Sequence, residues 1–86
     1  MDKDRKRLRY RCHRRGTHEA DLLLTAFAEQ HLDGLDAGQL ARLEALLEAP
    51  DQDLLAWVWE RRPAPAEHDT DVLALLRTTR YEPGSP

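Results

Sequence analysis

The sequence predicts an all-α fold, a small single-domain bundle of about five short helices. Three observations support this prediction. Apolar residues recur at intervals of three and four in successive blocks, which glycine, proline or capping residues separate. The chain has two valines and no isoleucine, so it is poor in the β-branched residues that strands favour. Its 86 residues allow one domain with a modest core, which argues against a deep active site of its own.

The first two predicted helices differ in character. Residues 4–14 form a basic block whose few large uncharged residues are Leu8, Tyr10 and Cys12, and the block ends near Gly16, where a C-cap or tight turn is expected. The second block covers residues 17–32, with an N-cap at its first residue and an acid in its first turn. Its buried stripe is predicted to contain Ala20, Leu23, Leu24, Phe27, Ala28 and His31.

The third and fourth helices are separated by a proline. Asp36 and Gln39 have the spacing of a capping box, and the helix that they begin ends before Pro50. The fourth helix is predicted to start from an N-cap at Asp51 or Asp53 and to run to about residue 61. The fourth helix, with two tryptophans and three aliphatic residues in six positions, is expected to pack on more than one side. The apolar residues of the two helices are Leu40, Leu43, Leu46, Leu47, Leu54, Leu55, Trp57, Val58 and Trp59.

The last part of the chain contains a linker, a final helix and a tail. The prolines in residues 62–66 cannot continue a helix, so this stretch is predicted to be extended. The fifth helix covers residues 70–80 and is expected to bury Val72, Leu73, Leu75 and Leu76. We therefore assign residues 1–81 to one helical domain and residues 82–86 to a flexible C-terminal tail.

Charge is distributed unevenly along the chain. Residues 1–15 carry eight Lys or Arg against two Asp, whereas residues 16–86 carry five Arg against fourteen Asp or Glu. The apolar run that follows this basic head, Leu22 to Ala28, is too short for a signal peptide or a membrane span, so we expect a mature, soluble chain with no membrane insertion. The single Cys12 cannot form an internal disulfide, which favours a reducing compartment.

Two functions can be considered from these residues alone. The basic N-terminal helix, with Tyr10 among its cations, is typical of a small nucleic-acid-binding regulatory protein. The acidic remainder of the chain and the lack of a clear helix-turn-helix pattern argue against that alternative. A metal site built from Cys12, His13 and His18 is disfavoured, because no second cluster of ligands completes a tetrahedral set. We predict no catalytic, cofactor-binding or metal-binding residues.

The most unusual segment lies between the first two helices, where arginines precede a glycine and acids follow it. In Arg14-Arg15-Gly16-Thr17-His18-Glu19-Ala20-Asp21 the glycine permits close approach of another backbone, Arg15 offers a forked donor and Glu19 an acceptor. The simpler interpretation is a chain turn with an Arg15–Glu19 surface ion pair, which would contribute only about 0–1 kcal/mol. The residues alone leave both interpretations open.

The same segment carries a resemblance to a known family. Arg15-Gly16-Thr17-His18-Glu19 resembles the RGxxE motif of the SdhE family of FAD assembly factors, also called the succinate dehydrogenase assembly factor 2 family. Asp21 and Leu22 continue the family's usual run, and Phe27 agrees with it. The segment from Leu46-Leu47-Glu48 to Trp57 is similar to the family's LLE…D.DL..W pattern. The resemblance extends in order over the first four helices.

The resemblance implies a non-catalytic, chaperone-like function. Family members bind the flavoprotein subunit of succinate dehydrogenase, or of fumarate reductase, and promote covalent attachment of FAD to a histidine of that subunit. FAD would then be attached to the partner and not bound tightly by this chain. The resemblance also implies a bacterial cytoplasmic protein, which we expect to be a monomer when free. The partner-binding residues that it implies are Arg11, Arg14, Arg15, Gly16, Glu19 and Asp21.

Overall fold

The computed structural model describes residues 2–13 and 16–80, and these residues confirm the predicted all-α fold. Five α-helices and one short 3₁₀ helix follow one another, and the described residues include no strand. The elements are α1 (Asp2–Cys12), α2 (His18–His31), the 3₁₀ helix (Leu32–Gly34), α3 (Ala37–Leu47), α4 (Asp51–Val58) and α5 (Asp71–Thr78). Position 81 and the predicted tail, residues 82–86, lie outside the described residues, so the predicted domain boundary stays a prediction.

Helix α2 supplies much of the core. The predicted stripe is confirmed for five of its members, each 0% exposed, namely Ala20, Leu23, Leu24, Phe27 and Ala28. The sixth, His31, is half-buried, and its ring lies 5.3 Å from that of Phe27. Helix α1 packs on this core through Leu8 and Cys12, so the cysteine is a packed residue. Tyr10, on the other face of α1, is 60% exposed.

Helix α3 begins as predicted. The Asp36 carboxylate accepts from the Gln39 N–H at 2.8 Å, while the Gln39 side-chain oxygen accepts from the Asp36 N–H at 3.0 Å. This reciprocal pair satisfies two backbone donors that the first turn of a helix leaves without partners. Helix α3 then buries Leu40, Leu43, Leu46 and Leu47, which confirms its predicted inner face.

Helix α4 has the predicted position but not the predicted cap. Its N-cap is Pro50, with φ −59° and ψ 147°, so the expectation of an N-cap at Asp51 or Asp53 is wrong. Both aspartates lie inside the first turn, where the helix dipole favours acids. Their carboxylates point to other parts of the chain, Asp53 to Arg62 and Asp51 to the backbone of Thr17. Trp57 is 7% exposed, in agreement with the predicted core position.

The end of α4 is three residues earlier than predicted, because the chain turns sharply at Glu60. Glu60 has φ 58°, in the left-handed region that favours glycine. The Arg61 N–H donates to the Ala56 carbonyl at 2.8 Å and the Glu60 N–H to the Trp57 carbonyl at 3.3 Å, which together form a Schellman motif.

The linker after α4 packs back on the domain. His68 stacks on Trp57 with ring centroids 5.2 Å apart, and Ala64 packs partly buried against the core. Helix α5 starts from Thr70, whose hydroxyl accepts from the Leu73 N–H, and ends at Thr78, two residues before the predicted end. It buries Val72, Leu73 and Leu76 as predicted, while Leu75 is only half-buried.

Candidate functional site

The segment between α1 and α2 is held by a residue from α4. The Thr17 N–H donates to the Asp51 Oδ2 atom at 3.0 Å, across 34 positions of sequence. Thr17 is the N-cap of α2 by position, as predicted, but its side chain makes no capping hydrogen bond with the described residues. Asp51 therefore fixes the backbone immediately before α2. Arg14 and Arg15 lie outside the described residues, so their predicted contacts stay predictions.

Gly16 is exposed, and its surroundings do not require a glycine. Its φ lies outside the left-handed region, and among the described residues a β-carbon added there would meet no atom closer than Asp51 Oδ2, at 4.0 Å. Neither the backbone conformation nor the packing of the described residues requires a residue without a side chain here, so the turn alone does not explain the glycine. A side chain at this exposed position would instead extend into the space outside the molecule.

Glu19 and Asp21 lie on the first turn of α2 but have different surroundings. Glu19 is exposed, and no hydrogen bond or ion pair joins its side chain to other described residues. Asp21 is half-buried and accepts from the Thr25 hydroxyl at 3.5 Å, and the same hydroxyl lies 3.1 Å from His13 Nδ1. Glu19 is thus available for an external contact, whereas Asp21 takes part in the packing of α2 beside the end of α1.

Arg11 is directed away from this segment. Its guanidinium bonds to Glu48, the C-cap residue of α3, and lies 3.9 Å from Glu44 inside that helix. The structure therefore brings Gly16 and Glu19 together on one surface and commits Arg11 to contacts within the molecule. Other arginines of α1 are linked in the same way to the acidic part of the chain, Arg7 with Glu44 and Arg9 with Asp33.

These contacts bear on the interpretation of the basic N-terminal helix as a phosphate-binding surface. The hydrogen bond from Arg7 holds the pKa of Glu44 below its usual value, and the same bond raises the pKa of Arg7. Arg5 donates to the backbone carbonyls of Leu32 and Leu35 at the end of α2 and beyond the 3₁₀ helix. Four arginines of α1 are thus occupied by contacts with this chain, which weakens the interpretation of α1 as a phosphate-binding surface.

A groove that the sequence analysis missed adjoins the α1–α2 segment. It has a volume of about 230 Å³ and is lined by Thr17, Gln52, Leu55, Ala56, Trp59 and Arg61. The guanidinium carbon of Arg61 lies 4.8 Å from the centre of the Trp59 ring. A signal for it was present in the density of apolar residues from Leu54 to Trp59, which predicts packing on more than one side.

The described residues hold no group of three or more His, Cys, Asp or Glu side chains placed to bind a metal ion. Within the same residues, no helix combines the length and apolar character needed to cross a membrane. The exposed Gly16–Glu19 segment and the adjoining groove are features of a small helical binding protein.

Comparison with known proteins agrees with the resemblance in the sequence. Residues 6–80 match the model of the family described as flavinator of succinate dehydrogenase. The chain belongs to this family.

Similar proteins include bacterial and eukaryotic ones. The chain is 41% identical over 69 residues to the FAD assembly factor SdhE of Acetobacter pasteurianus, with 80% of this chain and 63% of that protein covered. It is 37% identical over 79 residues to the mitochondrial succinate dehydrogenase assembly factor 2-A of Drosophila sechellia, with 90% and 48% covered. For the mitochondrial succinate dehydrogenase assembly factor 2 of Dictyostelium discoideum, identity is 38% over 77 residues, with 90% and 55% covered. The chain thus spans about half to two thirds of the length of these curated relatives.

Proposed function

We propose that this chain is an assembly factor that binds the flavoprotein subunit of succinate dehydrogenase and promotes covalent attachment of FAD to it. The observation that carries the proposal is the family match over residues 6–80, which includes the RGxxE segment and nearly all of the five helices. The relatives named FAD assembly factor and succinate dehydrogenase assembly factor align with most of this chain.

The surface around Gly16 supports this proposal by its geometry. Gly16 and Glu19 are exposed on a segment whose backbone is fixed by Asp51, so a partner would meet a preformed surface with little ordering cost. Arg15 and Arg14 would add cationic contacts from the same segment. Asp21 would act mainly by supporting this surface from inside, through its contact with Thr25, whereas Arg11 would hold α1 against the end of α3 through its contact with Glu48.

The contribution to flavinylation would be positioning. A covalent bond between FAD and its partner protein forms when the reacting atoms are held in a competent arrangement, and a bound protein can favour that arrangement of the partner's domains. The chemistry would belong to FAD and the flavoprotein, and this chain would be neither an enzyme nor a tight FAD binder. Fumarate reductase would be a second possible client. We further propose a monomeric free protein acting in the bacterial cytoplasm.

The test measures covalent flavin on the client protein. In cells that lack this gene, in-gel flavin fluorescence of the denatured succinate dehydrogenase flavoprotein should be low, and the wild-type gene should restore it. Gly16→Arg and Glu19→Ala should restore much less, because each changes the exposed surface while leaving the core intact. Glu29→Ala is the matched control, since Glu29 is an exposed acid toward the other end of α2 and should behave as wild type.

Equal covalent flavin in cells with and without the gene would show that the proposed function is wrong. Equal rescue by wild type and by folded Gly16→Arg would keep the function but move the partner-binding surface elsewhere. Circular dichroism of each purified variant separates these outcomes from simple unfolding.

A further inference from the structure

The groove beside the Gly16–Glu19 segment has a defined chemistry. Its wall is formed by Leu55, Ala56 and Trp59 of α4 and the turn that follows, and Thr17 belongs both to this groove and to the segment before α2. Leu55 is 8% exposed, so it forms a floor, whereas Gln52 is exposed and can donate or accept a hydrogen bond. The surface of the segment and the groove are therefore continuous.

Arg61 differs from the neighbouring arginines of the domain. Arg62 bonds to Asp53, and Arg42 bonds to Asp71 at 2.8 Å, so their charges are compensated within the molecule. Within residues 2–13 and 16–80 the guanidinium of Arg61 has no carboxylate partner, and no acid lines the groove. Its position over the Trp59 ring leaves its planar set of donors available at the edge of an apolar surface.

The left-handed residue before Arg61 explains how the cation reaches this position. Glu60 reverses the chain direction at the end of α4, and the Arg61 N–H returns to the Ala56 carbonyl at 2.8 Å. The backbone of Arg61 is thus tied to the last turn of the same helix whose side chains line the groove. The side chain is in turn held over the Trp59 ring, so less side-chain freedom is lost when the guanidinium binds an anion.

We propose that the groove binds a segment of the flavoprotein partner in which an aliphatic or aromatic side chain stands next to an Asp or Glu. The apolar side chain packs on Leu55 and Ala56, and the neighbouring carboxylate bonds to Arg61. The inference rests on the proposed function and names the chemistry of the contact. An apolar anchor in a pocket beside a charged pair is a common arrangement at the centre of protein interfaces. Among the described residues that line the groove, Arg61 is the cation and it lies beside an apolar floor, which fits such a segment better than a polyphosphate.

The experiment measures the Kd of the purified chain for the apo form of the succinate dehydrogenase flavoprotein. Arg61→Glu should weaken binding by roughly tenfold or more, because it places like charges together, while Arg61→Lys should stay within roughly threefold. Ala56→Leu should also weaken binding, since it fills the groove without changing the charge. Arg80→Glu is the matched control, with the same charge change at a residue whose backbone bonds to Gln30 near the other end of α2, and it should bind as wild type.

A second measurement locates the carboxylate. In the complex with the Arg61→Lys variant, carbodiimide coupling should join the new amine to an Asp or Glu of the flavoprotein that has an apolar neighbour. If Arg61→Glu and Ala56→Leu bind the flavoprotein as tightly as wild type, the groove proposal is overturned while the assembly function stands. If wild type does not bind the flavoprotein and flavinylation is independent of the gene, the proposed function fails as well.

Discussion

Replacement of Glu60 by glycine should stabilise the domain. Glu60 is the C′ residue of the Schellman motif at the end of α4, and its φ of 58° is a conformation in which a β-carbon crowds the backbone. Glycine adopts the same conformation without that cost. The Glu60 side chain contributes little in return, because it is 71% exposed and its carboxylate lies 3.7 Å from Arg77 Nε.

The magnitude is best obtained from a comparison of Glu60→Gly with Glu60→Ala. Both variants lose the carboxylate, so the weak contact with Arg77 cancels. The left-handed conformation costs a non-glycine residue about 1–2 kcal/mol, and glycine loses about 0.5–1 kcal/mol more chain entropy on folding. The difference between these two ranges is about 0–1.5 kcal/mol. From its middle, the free energy of unfolding of Glu60→Gly should exceed that of Glu60→Ala by about 0.5–1 kcal/mol, or about 2–8 °C in Tm for a domain of this size.

The assay is urea unfolding followed by tryptophan fluorescence, to which Trp57 and Trp59 should both contribute because they lie next to the turn. Equal m-values would show that the variants expose similar surface on unfolding. The reasoning is refuted if Glu60→Gly is no more stable than Glu60→Ala. Ala45→Gly is a control in which glycine should have the opposite effect. Ala45 is exposed inside α3, so this substitution should lower the free energy of unfolding by about 1 kcal/mol.

Two other predictions follow from single contacts. Asp51→Ala should raise the hydrogen-exchange rate of the Thr17 amide and lower the free energy of unfolding by about 1 kcal/mol, because that N–H loses its acceptor. Glu44→Gln should lower Tm at neutral pH but not in acid, as measured by thermal unfolding from pH 7 to pH 3. The bond to Arg7 lowers the pKa of Glu44, so its contribution is present above the unfolded-state pKa and is lost as pH falls through the folded-state value.

Each of these predictions has a control in the same chain. Asp53→Ala removes an acid from the same turn of α4 and should leave the hydrogen-exchange rate of the Thr17 amide unchanged. If both substitutions raise that rate equally, the effect comes from the helix dipole and not from the Asp51 hydrogen bond. Glu29→Gln changes an exposed acid of α2 and should leave the pH profile as in wild type. A Tm difference between Glu44→Gln and wild type that persists undiminished to pH 3 would contradict the role of the Arg7 contact.

Local sequence patterns predicted the helices well because each helix has its own periodicity and flanking residues. The capping box of Asp36 and Gln39 is a reciprocal contact over three positions, so it can be read from spacing alone. The N-cap of α4 could not be read in this way. Two aspartates after a proline have the composition of a cap, but their carboxylates are used by Thr17 and Arg62, which no local rule connects to them.

The candidate site was predicted in part. The RGxxE segment is contiguous in sequence, so Gly16 and Glu19 could be found together, and both are exposed as a binding surface requires. The role of Asp51 and the groove under Arg61 depend on how α4 lies against the start of α2, which is tertiary information. The same limit applies to Arg11, since the basic residues of α1 gave no sign that acids in α3 and at its C-cap would compensate them.

The hydrogen bond between Thr17 and Asp51 has a consequence for the order in which the chain becomes competent during synthesis. The segment before α2 leaves the ribosome 34 residues before its acceptor does. A nascent chain that ends within α3 would expose the RGxxE residues without the carboxylate that orients their backbone. Under the proposed function, recognition of a client would wait until α4 has been made, and a half-made domain would not present the finished surface to a flavoprotein folding nearby.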